Sequence, residues 1–555
     1  MAEVIEKTIG DILDETAEKY PDNDAAVFVD KGIRYSYAEF KEVCDRVARG
    51  FMAMGVGQGD NVAIWATNHQ EWVITQFATA KIGAVLVTVN PAYRTGELEY
   101  LLQQSDVNTI LLIESFKTSR YVDMLNQVCP ELAESEPGEL SSEKFPILKN
   151  AVFLGSENKP GMFTWSRLLE MGDDVLQEEL ESRQASLTPH DVINMQYTSG
   201  TTGFPKGAML THRNLVNNVY AVGNCLNYTH EDRICIPVPF YHCFGCVMGT
   251  LCAAVFGATM VIASESFEPE PVLKAVAQER CTSLYGVPTM WIAELEHPNF
   301  DRYDLSSLRT GIMAGAPCPI EVMNQVVERM GAKEITIAYG QTECSPVVTM
   351  TRTDDPIELR VTTVGKPLPG VEVKVVDPET GKEAPTGAQG ELCSRGFQVM
   401  KGYYKMPDKT EETIDGEGWL HSGDLAVSTE EGYFKITGRL KEMIIRGGEN
   451  IYPREIEEFL YANDKISDVQ VVGVPSEKYG EEVMACIKLK EGEAATEEEL
   501  REFCKGRIAH FKVPKYIVLV DDFPMTVTGK IQKFKLREMA VERFGLQKAA
   551  STEMA

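Results

Sequence analysis

The chain has 555 residues, too many for a single hydrophobic core, so two or more domains are expected. Its 44% hydrophobic and 25% charged residues are typical of a globular protein. The net charge of -29 argues against non-specific binding of nucleic acid or of an anionic membrane surface. The thirteen cysteines, behind an N-terminus with neither a signal nor a transit pattern, predict reduced thiols and a cytoplasmic location.

Residues 8–150 alternate amphipathic helices with short apolar strands. A helix is predicted from Tyr37 to Met54 and a strand over Asn61–Trp65, followed by a helix over 71–82 and a strand over 83–89. Helices that alternate with apolar runs indicate parallel strands covered on both faces. This part of the chain therefore predicts an α/β fold.

The stretch 196–209 has the composition of a phosphate-binding loop. It holds three glycines, four Ser or Thr hydroxyls and Lys206. Glycines let backbone N–H groups turn towards a ligand, and successive N–H groups form an anion-binding concavity. The common nucleotide loop is a poor match, because Lys206 lies between Pro205 and Gly207. The alternative is a flexible surface turn. A helix starting at His212 is expected to bring its N-terminus close to the loop.

Residues 234–263 contain no charged side chain and are long enough to cross a bilayer. Prolines and glycines interrupt them, so a buried helix followed by a strand over 257–262 is the favoured interpretation. Cys243 and Cys246 beside His242 could suggest a metal site, but the ligand set is incomplete for zinc. Free cysteines also pack well in an apolar segment.

Further βα units are predicted over 283–288 and 308–317. Near residue 360 the pattern changes to alternating strands with Gly-rich turns, which favours antiparallel sheet. After residue 440 a new α+β unit begins, with helices predicted over 456–461 and 497–510. We therefore predict a large N-terminal domain of βα-layered sheets with a small antiparallel, barrel-like portion (1–440) and a small mobile α+β C-terminal domain (441–555).

Four shorter motifs could complete a nucleotide site. Tyr339 follows a strand and could stack on a base, while Glu343 could hold Mg²⁺. Asp424 in a Gly-flanked turn could accept ribose hydroxyls, or it could form an ordinary Asx-turn. Arg439 could reach a phosphate or simply lie on a linker. Lys530, on a glycine turn, would by itself be a solvated surface group.

Taken together, these motifs resemble those of the adenylate-forming superfamily. Its members include acyl-CoA synthetases, luciferase-like ligases and the adenylation domains of peptide synthetases. The five motifs occur in the family's order and cover almost the whole chain. The stretches 239–242 (PFYH) and 446–453 (RGGENIYP) are most similar to acyl-CoA synthetases that act on fatty acids.

The resemblance implies a role for each candidate residue. Lys530 would bridge the attacking carboxylate and the α-phosphate, and His242 would lie near the acyl carboxylate. Mg²⁺ would be held by Glu343 with Thr198, and Lys441 would be the hinge. The nucleotide and coenzyme A would contact a larger set: Thr198, Ser199, Gly200, Thr201, Thr202, Gly203, Lys206, Gly315, Ala316, Pro317, Tyr339, Gly340, Gln341, Thr342, Asp424, Arg439, Gly447 and Gly448.

The resemblance also implies a two-step reaction with ATP, Mg²⁺ and coenzyme A. A carboxylic acid, expected to be a medium- or long-chain fatty acid, becomes an acyl-adenylate, and the thiol of coenzyme A then displaces AMP. Phe240, Phe244, Gly286, Val287, Gly311, Met313 and Gly315 are expected to line an acyl tunnel. The alternatives are an aryl-acid ligase, a free-standing enzyme that loads a carrier protein, and a non-catalytic sensor. Oligomeric state stays open, a homodimer being one option.

Overall fold

The computed structural model describes residues 4–199, 204–315, 318, 320–378, 380–440, 444–451, 453–490, 492–524 and 533–550. Within these ranges, no helix is long and apolar enough to cross a membrane. All thirteen cysteines lie in them, and none forms a disulfide. The buried, charge-free segment predicted as helix and strand is a helical run over 243–256 followed by the strand Thr259–Ile262.

Two large, mostly parallel sheets form the framework of the N-terminal domain. In spatial order, the strands of the eight-stranded sheet are Gly402–Tyr403, Pro205–Thr211, Val192–Ser199, Val85–Thr88, Asn61–Trp65, Val107–Leu112, Asn150–Phe153 and Phe163–Thr164. Those of the nine-stranded sheet are Lys366–Pro367, Val347–Met350, Glu334–Gly340, Thr310–Ala314, Ser283–Gly286, Arg233–Cys235, Thr259–Ile262, Asp24–Phe28 and Ile33–Ser36. The antiparallel strands lie at the edges of both sheets.

Helices cover these sheets, and the longer ones bury apolar side chains against them. The helix Tyr37–Ala53 buries Phe40, Val47 and Phe51, and its N-cap Ser36 forms a capping box with Glu39. The principal α-helices of the large domain are Ile9–Lys19, Tyr37–Ala53, Gln70–Ile82, Thr95–Gln104, Tyr121–Val128, Trp165–Asp173, Gln177–Ala185, His212–Cys225, Cys252–Phe256, Pro269–Glu279, Pro288–Leu295, Ile320–Gln325, Ile357–Thr362 and Pro407–Thr413.

A four-stranded antiparallel sheet follows the nine-stranded one. Its strands are Val371–Val376, Gln389–Gly396, Leu420–Ser428 and Phe434–Arg439, in that spatial order. This is the antiparallel portion that the alternating pattern after residue 360 predicts.

The small domain has its own sheet and core. Strands Glu449–Ile451, Ile444–Arg446, Gly480–Leu489 and Ile466–Ser476 are neighbours in that order, and Tyr516–Leu519 also pairs with Gly480–Leu489. Its helices are Pro453–Tyr461, Glu497–Cys504, Lys533–Arg543 and Gln547–Ala550. The helix predicted over 497–510 ends early, at Cys504, because Lys505 is extended and the backbone then turns at Gly506, where φ is +74°.

Candidate active site

The predicted phosphate loop connects the two strands of a hairpin. Val192–Ser199 pairs antiparallel with Pro205–Thr211, so Ser199 lies opposite Pro205. The four loop residues Gly200, Thr201, Thr202 and Gly203 lie outside the described residues, as does the Ser199 side chain. The expectation that the following helix begins close to this loop is wrong. The N-cap of that helix, Thr211, pairs with Val192 at the opposite end of the hairpin from the loop. The strand 205–211 is fully extended, so the helix begins about 20 Å from the loop.

Glu343 joins the two large sheets at the predicted magnesium position. Its Oε1 accepts a hydrogen bond from the Tyr403 hydroxyl at 2.6 Å and lies 3.4 Å from the Thr198 Oγ1. Nζ of Lys206 lies 4.0 Å from the centre of the Tyr403 ring. Thr198 and Tyr403 belong to the eight-stranded sheet, whereas Glu343 follows a strand of the nine-stranded sheet. A hydroxyl and a carboxylate oxygen at this spacing fit Mg²⁺, which prefers oxygen ligands.

Tyr339 and Asp424 are brought together as the nucleotide prediction requires. The Tyr339 hydroxyl donates to Oδ2 of Asp424 at 2.7 Å, and Asp424 is buried. Arg439 lies opposite Asp424 in the strand ladder, although its side chain is outside the described residues. The aromatic ring of Tyr339 and the carboxylate of Asp424 therefore lie together at the carboxyl end of the strand Glu334–Gly340.

The backbone after Tyr339 turns where a side chain could not fit. A Cβ on Gly340 would lie 1.9 Å from the carbonyl oxygen of Pro346. The N–H of Gln341 donates to that same oxygen at 2.9 Å, and a short 3₁₀ helix begins at Thr342. This turn carries Glu343 towards Thr198.

Asp424 lies in the strand Leu420–Ser428, at a shift in the register of the sheet, and not in the predicted turn. Three polar side chains brace this irregular part of the strand. The sheet register places Cys393 opposite His421, and Glu391 lies two residues away on the same face. Oε2 of Glu391 lies 2.8 Å from the His421 Nδ1, and its Oε1 accepts the Gly423 N–H at 2.9 Å. The His421 Nδ1 is also 3.5 Å from the Cys393 Sγ. These contacts fix Gly423, the residue before Asp424.

Gly315 stands at the edge where two parallel strands end. The strands Ser283–Gly286 and Thr310–Ala314 are adjacent, so Val287 and Gly315 lie side by side at the carboxyl ends. This is the edge at which α/β folds bind ligands. Gly315 has φ +85° and is exposed. Ala316 and Pro317 lie outside the described residues.

Gly447 and Gly448 of the small domain approach the same edge. A Cβ on Gly448 would lie 3.0 Å from Cγ1 of Val287, so backbone of one domain contacts a side chain of the other. The Tyr241 hydroxyl donates to Oε1 of Glu449 at 2.8 Å. Burial raises the pKa of Glu449, against the opposing effect of this hydrogen bond. Lys512 of the small domain likewise contacts Glu97 and Tyr93 of the large domain. We call this surface the domain seam; it comprises Tyr93, Glu97, Tyr241, Val287, Gly448, Glu449 and Lys512.

His242 lies next to the seam as a neutral imidazole. Its side chain is open to solvent, yet surrounding protein desolvates it and lowers its pKa to about 4. Its Nδ1 accepts the Phe244 N–H at 3.2 Å, which leaves the proton on Nε2. The neighbouring Cys243 and Cys246 are buried, and the amide of Gln196 donates to Sγ of Cys246. The exposed histidine ring therefore has an Nε2–H that can donate a hydrogen bond.

The predicted tunnel residues divide between two hydrophobic clusters. Phe240 and Phe244 share a cluster with Tyr285, whose ring stacks on Phe244 at 5.5 Å between centroids. Met313 lies in the other cluster, with Trp291. Gly286 and Gly311 have a structural reason to be glycine, because a Cβ would collide with Trp291 and with the Leu284 carbonyl. The structure thus does not bring Met313 to the Phe244 side.

Two predicted site residues lie outside the described part of the chain, and three residues of the site were not predicted. Lys530 and Lys441 lie outside the described residues, so their roles stay predictions. Sequence reasoning missed Tyr403, Tyr241 and Glu449. Each contacts a residue at least sixty positions away. The 239–242 motif contains Tyr241 and the 446–453 motif contains Glu449, but no motif contains Tyr403.

Comparison with known protein families identifies the family to which this chain belongs. The AMP-binding enzyme family matches residues 13–404, and the AMP-binding enzyme C-terminal domain matches residues 455–530. The chain belongs to the AMP-binding enzyme family. The resemblance inferred from the motifs is confirmed, and so is the α/β fold with a large N-terminal and a small C-terminal domain.

Relatives of this AMP-binding enzyme cover almost its whole length. It is 57% identical over 546 residues to the candidate acyl-CoA synthetase YngI of Bacillus subtilis (98% of this chain, 99% of YngI). It is 47% identical over 541 residues to the mitochondrial medium-chain acyl-CoA ligase ACSF2 of Danio rerio (97% of this chain, 89% of that protein). The enzyme is therefore an AMP-forming acid–thiol ligase of the acyl-CoA synthetase class, and it uses ATP and coenzyme A.

Solved structures share the fold at lower identity. The amide bond synthetase McbA of Marinactinospora thermotolerans superposes with a TM-score of 0.81 at 26% identity, over 96% of this chain and 99% of McbA. A fatty acyl CoA synthetase of Mycobacterium tuberculosis gives 0.68 at 25% identity, over 97% and 99%. The AMP-binding enzyme thus has the two-domain architecture of characterised adenylate-forming proteins.

Proposed function

We propose that this enzyme converts a medium-chain fatty acid to its acyl-adenylate and then to the acyl-CoA thioester, releasing pyrophosphate and AMP. The observation that carries the proposal is the packing of Gly448 on Val287, beside Gly315 and the nucleotide-binding edge. A thiol channel at that position would end where an acyl-adenylate carbonyl would lie. The medium-chain assignment is supported by relatives that are 42–47% identical and are named medium-chain acyl-CoA ligases.

In the first step, a carboxylate oxygen attacks the α-phosphorus of ATP and the bond to pyrophosphate breaks. Two anions must meet, so neutralisation and positioning supply most of the catalysis. Lys206 and the loop 200–203 would hold the β- and γ-phosphates, and Lys530 would bridge the two reacting groups. Mg²⁺, held by Glu343 and Thr198, would supply positive charge to the leaving pyrophosphate. Asp424 would accept the ribose hydroxyls.

In the second step, the thiol sulfur attacks the acyl carbonyl, the bond to AMP breaks, and the thiol proton leaves to solvent. The Nδ1 lone pair of His242 already accepts the Phe244 N–H, which leaves the neutral ring no free lone pair to take that proton. Its Nε2–H is available to donate to an acyl oxygen in either step. We therefore assign His242 to positioning the acyl group through a hydrogen bond rather than to proton transfer.

Coenzyme A is favoured over a carrier protein by the charge around the domain seam. Arg446, Lys117 and Arg94 lie close enough to His510 to lower its pKa, in addition to the effect of burial. Arg446 also pairs with Glu482 at 2.6 Å, whereas Lys117 and Arg94 add positive charge that suits the phosphates of the coenzyme A nucleotide in a protein of net charge -29. We also propose a cytoplasmic location, in keeping with thirteen cysteines that form no disulfide.

The proposed domain boundary at residues 440/441 is supported by strand pairing. Phe434–Arg439 pairs within the four-stranded sheet, whereas Ile444–Arg446 pairs within the sheet of the small domain. The change from one sheet to the other therefore falls between Arg439 and Ile444. Lys441 falls in this interval, and we propose it as the hinge about which the small domain turns between the two steps.

The test is AMP release with ATP, Mg²⁺, coenzyme A and straight-chain acids from acetate to palmitate, with benzoate alongside. A peak at a medium-chain acid is expected. A peak with benzoate would support the aryl-acid alternative. Pyrophosphate exchange without any acyl-CoA would support carrier loading, and no turnover of either kind would contradict an enzymatic role.

Lys530→Ala tests the assignment of the first step. The variant is expected to lose adenylation by about a hundredfold or more, because an electrostatic contact made in the transition state disappears. Binding of ATP, measured by calorimetry, should remain close to that of the wild type. Acyl-CoA formation at the wild-type rate would contradict the role given to Lys530.

A further inference from the structure

Lys512 is a cation buried in the domain seam. It ends the 3₁₀ helix His510–Lys512, and only 3% of its side chain is exposed. Its Nζ lies 3.0 Å from Oε1 of Glu97 and 2.5 Å from Oε1 of Glu455. Burial disfavours the charge, but the two carboxylates outweigh burial and raise the pKa of Lys512. Lys512 therefore stays charged at the seam and depends on both carboxylates for its neutralisation.

The two carboxylates belong to different domains. Glu455 lies on the helix Pro453–Tyr461 of the small domain and moves together with Lys512. Glu97 lies on the helix Thr95–Gln104 of the large domain. A rotation of the small domain would keep the contact with Glu455 and break the contact with Glu97. The Glu97–Lys512 pair is therefore specific to the domain orientation seen here.

This orientation is also the one that presents Gly448 to Val287 and Glu449 to Tyr241. Lys512 is linked to these contacts, because its charge acts on Glu449 and its Nζ lies 5.5 Å from the centre of the Tyr93 ring. Ala92, next to Tyr93, packs against the hydrophobic core of the small domain. The pair is thus part of a continuous contact surface beside the proposed thiol channel.

We propose that Glu97 is a positioning residue for the thioester step. By pairing with Lys512 it holds the small domain in the orientation that presents Gly447 and Gly448 to the acyl-adenylate. The inference rests on the proposed function and adds a residue from the large domain to it. Breaking a buried charge pair is costly, so the contact can bias a two-state domain equilibrium.

Glu97→Gln is the variant that isolates this contact. Oε2 of Glu97 accepts the Arg94 N–H at 2.9 Å as the helix cap, and a glutamine oxygen can replace it there. With that oxygen at the cap, the glutamine NH2 faces Lys512, so the substitution removes both the charge and the hydrogen-bond acceptor from this contact. Lys512 keeps its partner Glu455 within the small domain. Glu455→Gln is the matched control, because it removes a carboxylate from the same lysine on the side of the small domain.

The two half-reactions are measured separately in each variant. Adenylation is followed by pyrophosphate exchange, and acyl transfer by mixing preformed enzyme-bound acyl-adenylate with coenzyme A. Glu97→Gln is expected to slow transfer about tenfold or more while adenylation stays within about twofold of wild type. Glu455→Gln should change both rates by the same factor. Equal losses in Glu97→Gln, or the selective loss in Glu455→Gln instead, would overturn the proposal.

A double-mutant cycle with Lys512→Met shows whether Glu97 acts through Lys512. In the Lys512→Met background, Glu97→Gln should cause little further loss of transfer; an independent loss would overturn the pairing. Thermal unfolding of each variant identifies any that fails to fold. A wild-type enzyme that forms adenylate but no acyl-CoA would contradict the proposed function instead, so the two failures are distinguishable.

Discussion

Tyr403 shows how one residue outside every motif can organise the catalytic group. Its hydroxyl donates to Glu343 at 2.6 Å, and its ring lies under Nζ of Lys206 at 4.0 Å. Tyr403→Phe keeps the ring and removes the hydrogen bond. A hydrogen bond to a charged group contributes about 1.5–3 kcal/mol, so we expect KM for ATP to rise about tenfold or more. Steady-state kinetics at saturating acid and coenzyme A measures this.

Tyr404→Phe is the matched control for that variant. The Tyr404 hydroxyl donates to Asp106 at 2.8 Å, so the control removes a hydroxyl–carboxylate hydrogen bond at the adjacent position. Asp106 is not among the proposed site residues, and KM for ATP should stay near the wild-type value. A similar rise in both variants would mean that the effect is structural and would remove Tyr403 from the ATP site.

The difference between residues found and residues missed follows from the range of their interactions. The phosphate loop, Tyr339, Asp424 and Glu343 belong to local motifs whose composition reports their chemistry. Tyr403 is placed by strand pairing with Ala208, almost two hundred residues earlier. Nothing near it in sequence records that pairing. A single chain therefore predicts the groups that touch ligands better than the groups that orient them.

At the scale of elements, His212 makes the N-terminal helix sensitive to pH. Its Nδ1 accepts the backbone N–H of Ile9, the first residue of the helix Ile9–Lys19, at 3.0 Å. Burial lowers the pKa of His212 to about 4 from 6.5. As pH falls, the unfolded chain therefore binds a proton at this histidine at a higher pH than the folded protein does. This contribution to stability is complete above pH 6.5 and is lost as pH falls towards 4, and it amounts to about 3 kcal/mol.

His212→Asn tests this contribution, because an asparagine oxygen can accept the same N–H without titrating. When pH falls from 7 to 4.5, the thermal midpoint of the variant is expected to decrease less than that of the wild type. His190→Asn, at a side chain that is 70% exposed, should leave the pH dependence unchanged. An unaltered pH dependence in His212→Asn would contradict the assignment.

Element prediction succeeded where the periodic pattern and the end signal agreed. The strand Asn61–Trp65 has the predicted bounds, and the predicted helix from Tyr37 ends one residue early, at Ala53. The helix at His212 was correctly placed in sequence but wrongly placed in space. The hairpin separates the N-terminus of this helix from the phosphate loop. The local sequence pattern did not indicate that residues 205–211 form a second, antiparallel strand before the helix begins.

At the scale of the whole molecule, the domain seam could not be predicted in its contacts. The family resemblance implied a small domain that would approach the coenzyme A thiol through Gly447 and Gly448. The partners Val287, Tyr241 and Glu97 lie more than 150 residues away from the small-domain residues they meet. Which orientation the two domains adopt is a balance of such contacts, and no segment of the chain encodes it alone.

Gly448 tests whether close approach at this seam matters for the reaction. It has φ +85°, and a Cβ would lie 3.0 Å from Val287. Gly506 has φ +74° with no atom within 4 Å of its Cβ position. Alanine at either site carries a similar backbone cost of about 1–2 kcal/mol, but only Gly448→Ala also crowds the other domain. We expect Gly448→Ala to slow acyl transfer about tenfold or more, with adenylation little changed, and Gly506→Ala to affect neither.

A second substitution separates crowding from strain at Gly448. Val287→Ala removes the two methyl groups that the new Cβ would meet, at 3.0 and 3.6 Å. When Gly448→Ala is added to Val287→Ala, it should therefore slow acyl transfer less than it does in the wild-type background. If the loss stays as large as in the wild-type background, backbone strain in the 447–449 turn is responsible. The approach of the two domains would then not limit the thioester step at this point.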